Sequence, residues 1–361
     1  MAYTTINKSG DNFDAKIYTG NGSSQTLTMD NLGLLWMKNR TETSNYNLFD
    51  VVRGGHYTSA PGPNLRTNST TSAHGSDITS AYGITFGSSS STIGSDGGGY
   101  NYNQSGKSYV GWQWRANGTG SSNTDGSITS TVSANATAGF SIVSWTGDGS
   151  DATIGHGLSS APKLIIHKHL SGSVQWNVYH ASAGTGGYLR LDSTSAFSSN
   201  SGFFGTAPTS TVFSPGSHSY MSGSGNDNIA YCFAEKTGYS KFGKFTSNGN
   251  DNGAFIHTGF APKWVMLKPN VTDGWSHWYI FDTARDHPQL NDMPLYANLS
   301  TQEGYYGGSP ASDYAQIDLL SNGFKIRKGS GWGAGGSGRE IIYMAFGQSI
   351  VGSNNVPATA R

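Results

Sequence analysis

Apolar side chains recur along this chain in alternation with polar ones, and clusters of Gly, Asn, Asp and Ser break the alternation every few residues. That pattern predicts short strands joined by turns and leaves almost no room for amphipathic helices. One stretch sets the theme. From Phe140 to Lys168 an alternating strand runs into a Gly/Asp turn, a short return, a bend marked by Pro162, and an apolar strand that ends on a lysine. Phe242 to Lys268 repeats it, and in both copies the turn glycine stands 19 residues before the lysine (Gly149 and Lys168, Gly249 and Lys268). A looser copy spans Ala15 to Lys38, with a spacing of 16 from Gly22. Self-similarity of this kind predicts three tandem copies of one all-β unit.

The rest of each copy follows the same order. The predicted organisation is an arm over 1–12, a first unit over 13–115, a Ser/Thr/Gly-rich linker over 116–138, a second unit over 139–237, a third over 238–348 and a tail over 349–361. Within the linker, Ser127 to Val132 also has the alternation of an edge strand. The closing strands align as Trp112 with Trp114, Tyr231 with Phe233, and Met344 with Phe346. Residues two apart share a face, so each unit lays two bulky side chains on one side of its sheet. Leu164 to Ile166 and Trp264 to Leu267 are apolar on both faces and need cover on both sides. The expected fold is therefore all-β, three tandem β-sandwich modules of jelly-roll-like type.

Composition narrows the function classes. Charged residues are 12% of the 361, with 22 acidic and 22 basic side chains. Phosphate binding needs a basic excess, so no nucleic-acid partner is expected. No apolar run reaches the roughly 20 residues of a membrane-spanning helix, so no membrane partner is expected either. Cys232 is the one cysteine, which excludes an intrachain disulfide, and the N-terminus lacks the basic and apolar pattern of a signal peptide. A virion protein, assembled in host cytoplasm and exposed after lysis, reconciles these features with an otherwise extracellular composition.

Several stretches resemble a known family: Gly139 to Gly149, Ala161-Pro162-Lys163 and Ala261-Pro262-Lys263, Ile229 to Glu235, Gly238 to Gly243, Leu320 to Lys325, and the ending Val356 to Arg361. The segment Ser122 to Asn135 is similar too. Together they resemble a repeat domain of uncharacterised function widespread in structural proteins of marine tailed bacteriophages, cyanophages among them. The match is specific over the second and third units and loose over the first, where Asn31-Leu32-Gly33 replaces Ala-Pro-Lys. The resemblance implies a place on the virion surface and carries no catalytic residues across.

Candidate chemistry is sparse. The turns Gly147 to Asp151 and Asn248 to Asn252 hold oxygen ligands suited to calcium, yet Asp-Gly and Asn-Gly are also the preferred hairpin pairs. His167 and His169 share a strand face, but Met37 and Leu267 occupy the place of His167 in the other copies, which favours a structural role. Asp50 with Arg53 and Asp282 with Arg285 have the spacing of an ion pair tying a strand end to its loop, where the second unit has His180. The four glutamates Glu42, Glu235, Glu303 and Glu340 suggest no catalytic pair, so no enzyme, metal or cofactor is expected. Aromatic residues in Gly/Ser-rich connections are the candidate binding residues: Tyr305, Tyr306, Trp275, Trp332, Tyr100 and Tyr102. Such rings stack on sugars or seat a partner subunit, or else plug the end of their own sandwich.

The expectation is thus a non-enzymatic phage virion surface protein, a capsid decoration protein or a tail- or head-fibre component. It contacts other capsid or tail proteins as a homo-oligomer, a trimer being one form. The alternative is a carbohydrate-binding adhesin for host surface glycans, and a polysaccharide-degrading enzyme ranks third.

Overall fold

The structure, a computed structural model, describes residues 4–28, 33–55, 63–73, 78–87, 90–96, 99–286, 288–306, 309–310, 315–349 and 351. Residues 31–32 and 356–361, which entered the reading above, lie outside that description. The chain is all-β, and its strands form several antiparallel sheets. Among the described residues, one four-residue helix, Ser219–Ser222, and one 3-10 turn, Ser9–Asp11, interrupt them.

Three large sheets share one strand order, which we name opening, closing, inner and return. In the first sheet these are Phe13–Thr19, Ser108–Arg115, Gly33–Asn39 and Asn47–Asp50. In the second they are Phe140–Thr146, Asp227–Phe233, Leu164–His169 and Asn177–His180. In the third they are Ser240–Thr246, Glu340–Gln348, Ala261–Pro269 and Tyr279–Asp282. The registers coincide as well: Trp36 faces Trp112 and Leu48, Ile166 faces Tyr231 and Val178, and Met266 faces Met344 and Ile280.

Both faces of each large sheet are covered, as the double apolarity of the inner strands requires. All seven residues of Gly33–Asn39 and all six of Leu164–His169 are buried. On the outer face Leu35 and Met37, Ile165, and Val265 and Leu267 enter three separate cores beneath smaller sheets. Those sheets are built from Gln25–Leu27, Ser91–Ile93 and Ile84–Phe86; from Ile154–Gly155 and Val212–Phe213; and from Phe255–His257, Gly323–Ile326 and Ile317–Leu320. Each pairing is a sandwich. On the inner face, Leu34 and Trp36, Leu164 and Ile166, and Trp264 and Met266 all enter a single core common to the three large sheets. At its centre Trp114, Phe233 and Phe346, which occupy the same register position, lie 5.7 to 6.0 Å apart ring to ring. The large sheets therefore enclose a common interior instead of following one another as separate beads.

The segment over 116–138 departs from the linker expectation. Ser121–Asn123 and Ser130–Asn135 form a hairpin that pairs onto the opening strand of the second sheet. Val132 explains the pairing, because it is buried in the second outer core while Thr131 points the other way and stays exposed. The edge-strand reading of Ser127 to Val132 thus describes its second half.

Candidate functional site

Where each large sheet meets the next, the polar residues of the repeat are spent on holding the joint. Lys38, Lys168 and Lys268 stand one residue before the ends of the inner strands, on the face of the shared core, and all three are fully buried. The Lys38 ammonium reaches Ser300 O at 3.3 Å in the third unit, Lys168 reaches Thr70 O at 2.9 Å in the first, and Lys268 reaches Thr194 O at 2.8 Å in the second. Each also donates to carbonyls of its own unit: Asn39 O, Val174 O and Ser276 O. Burial pushes their pKa values down to about 7, about 8 and about 7.

A second ring of contacts closes in the opposite sense, each unit reaching the one after it. Asp50 Oδ2 accepts from the Tyr231 hydroxyl at 2.8 Å, Asp282 Oδ2 accepts from Trp112 Nε1 at 2.9 Å, and His180 Nε2 lies 3.1 Å from Tyr343 O. The expected ion pairs are present: Arg53 Nε to Asp50 at 2.7 Å and Arg285 Nε to Asp282 at 2.6 Å. Arg285 also meets Glu303 at 2.6 Å, and Glu303 in turn meets Arg40 of the first unit. Burial opposes the Arg285 charge, but the carboxylates of Asp282 and Glu303 outweigh it and raise its pKa. Sequence reasoning found the Asp–Arg pairs and missed their neighbours. A usable signal existed in the aromatic residue that follows each lysine, Tyr46, Trp176 or Trp278. The indoles of Trp176 and Trp278 donate to Arg66 O and Arg190 O of the preceding unit.

The histidines and the cysteine are structural in their surroundings. His167 is fully buried, its Nε2 lies 3.0 Å from Asn228 Oδ1, and burial drives its pKa down to about 3. Cys232 is buried, and its thiol pKa is driven up by desolvation. The Asp/Asn turns use their oxygens internally. Asp148 Oδ1 accepts from Ser150 N, Asn248 Oδ1 from Asn250 N and Asn21 Oδ1 from Ser23 N, while Gly149, Gly249 and Gly22 take positive φ. Among the described residues no group of three or more His, Cys, Asp or Glu side chains is placed to hold a metal ion, and no helix is long and apolar enough to cross a membrane.

The six aromatic candidates do not gather at one place. Tyr102 is fully buried in the first outer core and stands edge-on to Phe49, with half-buried Tyr100 stacked beside it at 5.8 Å. Trp332 plugs the third outer core against Tyr279 and donates from Nε1 to Lys328 O. Trp275 and Tyr305 are exposed, at 40% and 36%. Tyr306 lies in a short strand, and its side chain is outside the description.

The 116–138 segment borders concave surface. Three open clefts of about 310 to 440 Å³ border it, each lined in part by hydroxyl, carboxamide or carboxylate side chains. A family profile described as Domain of unknown function (DUF7483) matches residues 8–349, a span that takes in all three large sheets. No curated protein and no solved structure matches the chain.

Proposed function

The chain belongs to the DUF7483 family, and from that premise we propose that it is a non-enzymatic structural protein of a phage virion, displayed as a capsid decoration or fibre component. Carrying this reading is the use of the interior ionisable groups. Lys38, Lys168 and Lys268 each span a joint between neighbouring sheets, and so do Asp50, His180 and Asp282. Chemistry-bearing side chains are thereby committed to cohesion, which suits a protein whose work is to stay folded on a particle. The resemblance of Gly139 to Gly149, Ile229 to Glu235 and Leu320 to Lys325 to phage structural proteins gives the reading its location.

Quantitative mass spectrometry of purified virions tests it. Hundreds of copies per particle mean a shell position and a handful mean a tail or fibre position; absence from the particle overturns the proposal. A second reading, a carbohydrate-binding adhesin, draws on the exposure of Trp275 and Tyr305. A glycan array supports it if binding falls on alanine substitution of those two rings, and counts against it if binding is absent or unaffected.

A further inference from the structure

In a molecule built on a threefold-repeated plan, what the repeat needs appears three times, and what only one copy has calls for a separate reason. The hairpin Ser121–Asn123 and Ser130–Asn135 is such a feature. The opening strands Phe13–Thr19 and Ser240–Thr246 are edges of their sheets, whereas Phe140–Thr146 is overlaid by the hairpin. Its effect is to lengthen one face of the second sheet. Phe140 and Ile142 carry that face into the shared core, and two residues further out it becomes hydroxylated. Ser144 pairs with Thr131, Thr131 pairs with Ser122, and Thr146 pairs with Asp227, so a row of three hydroxyls lies beside a hydroxyl and carboxylate pair. The Thr146 hydroxyl donates to Asp227 at 2.9 Å.

These residues line a cleft of about 310 Å³, with Leu170 beneath and Arg53 entering from the first unit. The corresponding places elsewhere carry other side chains. In the third sheet the position of Ser144 is Lys244, which is paired to Glu340 at 2.7 Å, and in the first it is Ile17. The Arg53 counterpart Arg285 is closed in by Glu303. We propose that this cleft is a binding site for a neutral saccharide of one or two rings, a ligand that the virion role by itself does not require.

The chemistry selects that class. Ser122, Thr129 and Thr131 are exposed, and hydroxyls that both donate and accept match the alternating donors and acceptors of a sugar edge. Leu170 offers an apolar contact for the C–H face of a ring. Arg53 and Asp227 bring opposite charges to the same cleft, and Asp50 sits on Arg53 at 2.7 Å, so a phosphate or other strong anion meets two carboxylates as well as the guanidinium. The volume lies at the small end of the roughly 300 to 1,000 Å³ typical of small-molecule sites.

Saturation-transfer NMR on the full chain tests the proposal, with glucose, galactose, mannose, N-acetylglucosamine and their β-linked disaccharides as probes. Each is present at about 10 mM, which mostly fills a site of millimolar affinity. The expected result is transfer from at least one of these sugars. Thr131→Val combined with Ser144→Ala weakens it at least tenfold, and Thr246→Val, on the matching strand of the third sheet, leaves it unchanged. Ser122→Ala lies on the outermost exposed strand, does not threaten the fold, and weakens binding as well. No transfer from any probe, or equal affinity in Ser122→Ala and in a folded double variant, overturns the proposal. The virion copy number is indifferent to either outcome.

Discussion

Tyr231 shows how one hydroxyl holds two units together. It lies in the shared core and donates to Asp50, which also carries Arg53. Hydrogen bonds to charged groups contribute about 1.5 to 3 kcal/mol. Tyr231→Phe keeps the ring and is expected to lower stability by about that amount, measured by denaturant unfolding; a loss below about 0.5 kcal/mol would show that the contact carries no weight. The buried bases set the pH response. Burial lowers His180 and His277 to about 4 and the three lysines to about 7, 8 and 7. A base whose folded pKa is depressed binds fewer protons in the native chain than in the unfolded one between the two values, so stability rises with pH across that interval. The intervals run from about 4 to 6.5 for the histidines and from about 7 to 10.5 for the lysines, with up to about 1.4 kcal/mol per pH unit for each group. Asp192, raised by burial to about 6, acts in the opposite direction as one group. Thermal unfolding is therefore expected at higher temperature at pH 9 than at pH 7, and at pH 7 than at pH 5; a midpoint that falls from pH 7 to 9 would contradict the burial of the lysines as the controlling feature.

At the scale of elements, the strands announced themselves through alternation and through recurrence of the turn, the Pro bend and the lysine. Trp36, Ile166 and Met266 stand in matching surroundings, the environment that this recurrence implies. What the sequence left hidden has a common cause. The hairpin over 121–135 is mostly Ser, Thr and Asn, with Val132 its one buried large apolar side chain and Ile128 half-buried beside it, so its pairing is specified by the edge it docks on more than by its own side chains. The lysines recur at the close of each apolar strand, but nothing local reveals that a neighbouring unit will cover them. The aromatic candidates divide for a similar reason: Tyr102 and Trp332 sit in connections of the same composition as Trp275, and only tertiary packing separates buried plug from exposed ring. The Asp/Asn turns carry a prediction at this scale. Their side-chain oxygens cap backbone amides, so millimolar calcium or chelator is expected to leave the unfolding midpoint in place. A calcium-dependent rise of several degrees would reassign those turns as ion sites.

For the whole molecule the decisive property is that three sheets share one interior. Trp114, Phe233 and Phe346 meet across it, and the lysine contacts run from the first unit to the third, the third to the second and the second to the first, closing a circle. Removing any one sheet exposes the apolar face of the other two, so the parts are expected to fold and unfold together despite their repeated plan. That joint interior also places the hairpin cleft at a joint, since Arg53 enters from the first unit while its hydroxyls belong to the second. Differential scanning calorimetry of the full chain measures this coupling directly. The account predicts one transition whose calorimetric and van't Hoff enthalpies agree; two or three resolved transitions, each with the enthalpy of a unit of about 100 residues, would contradict the shared core on which the rest is built.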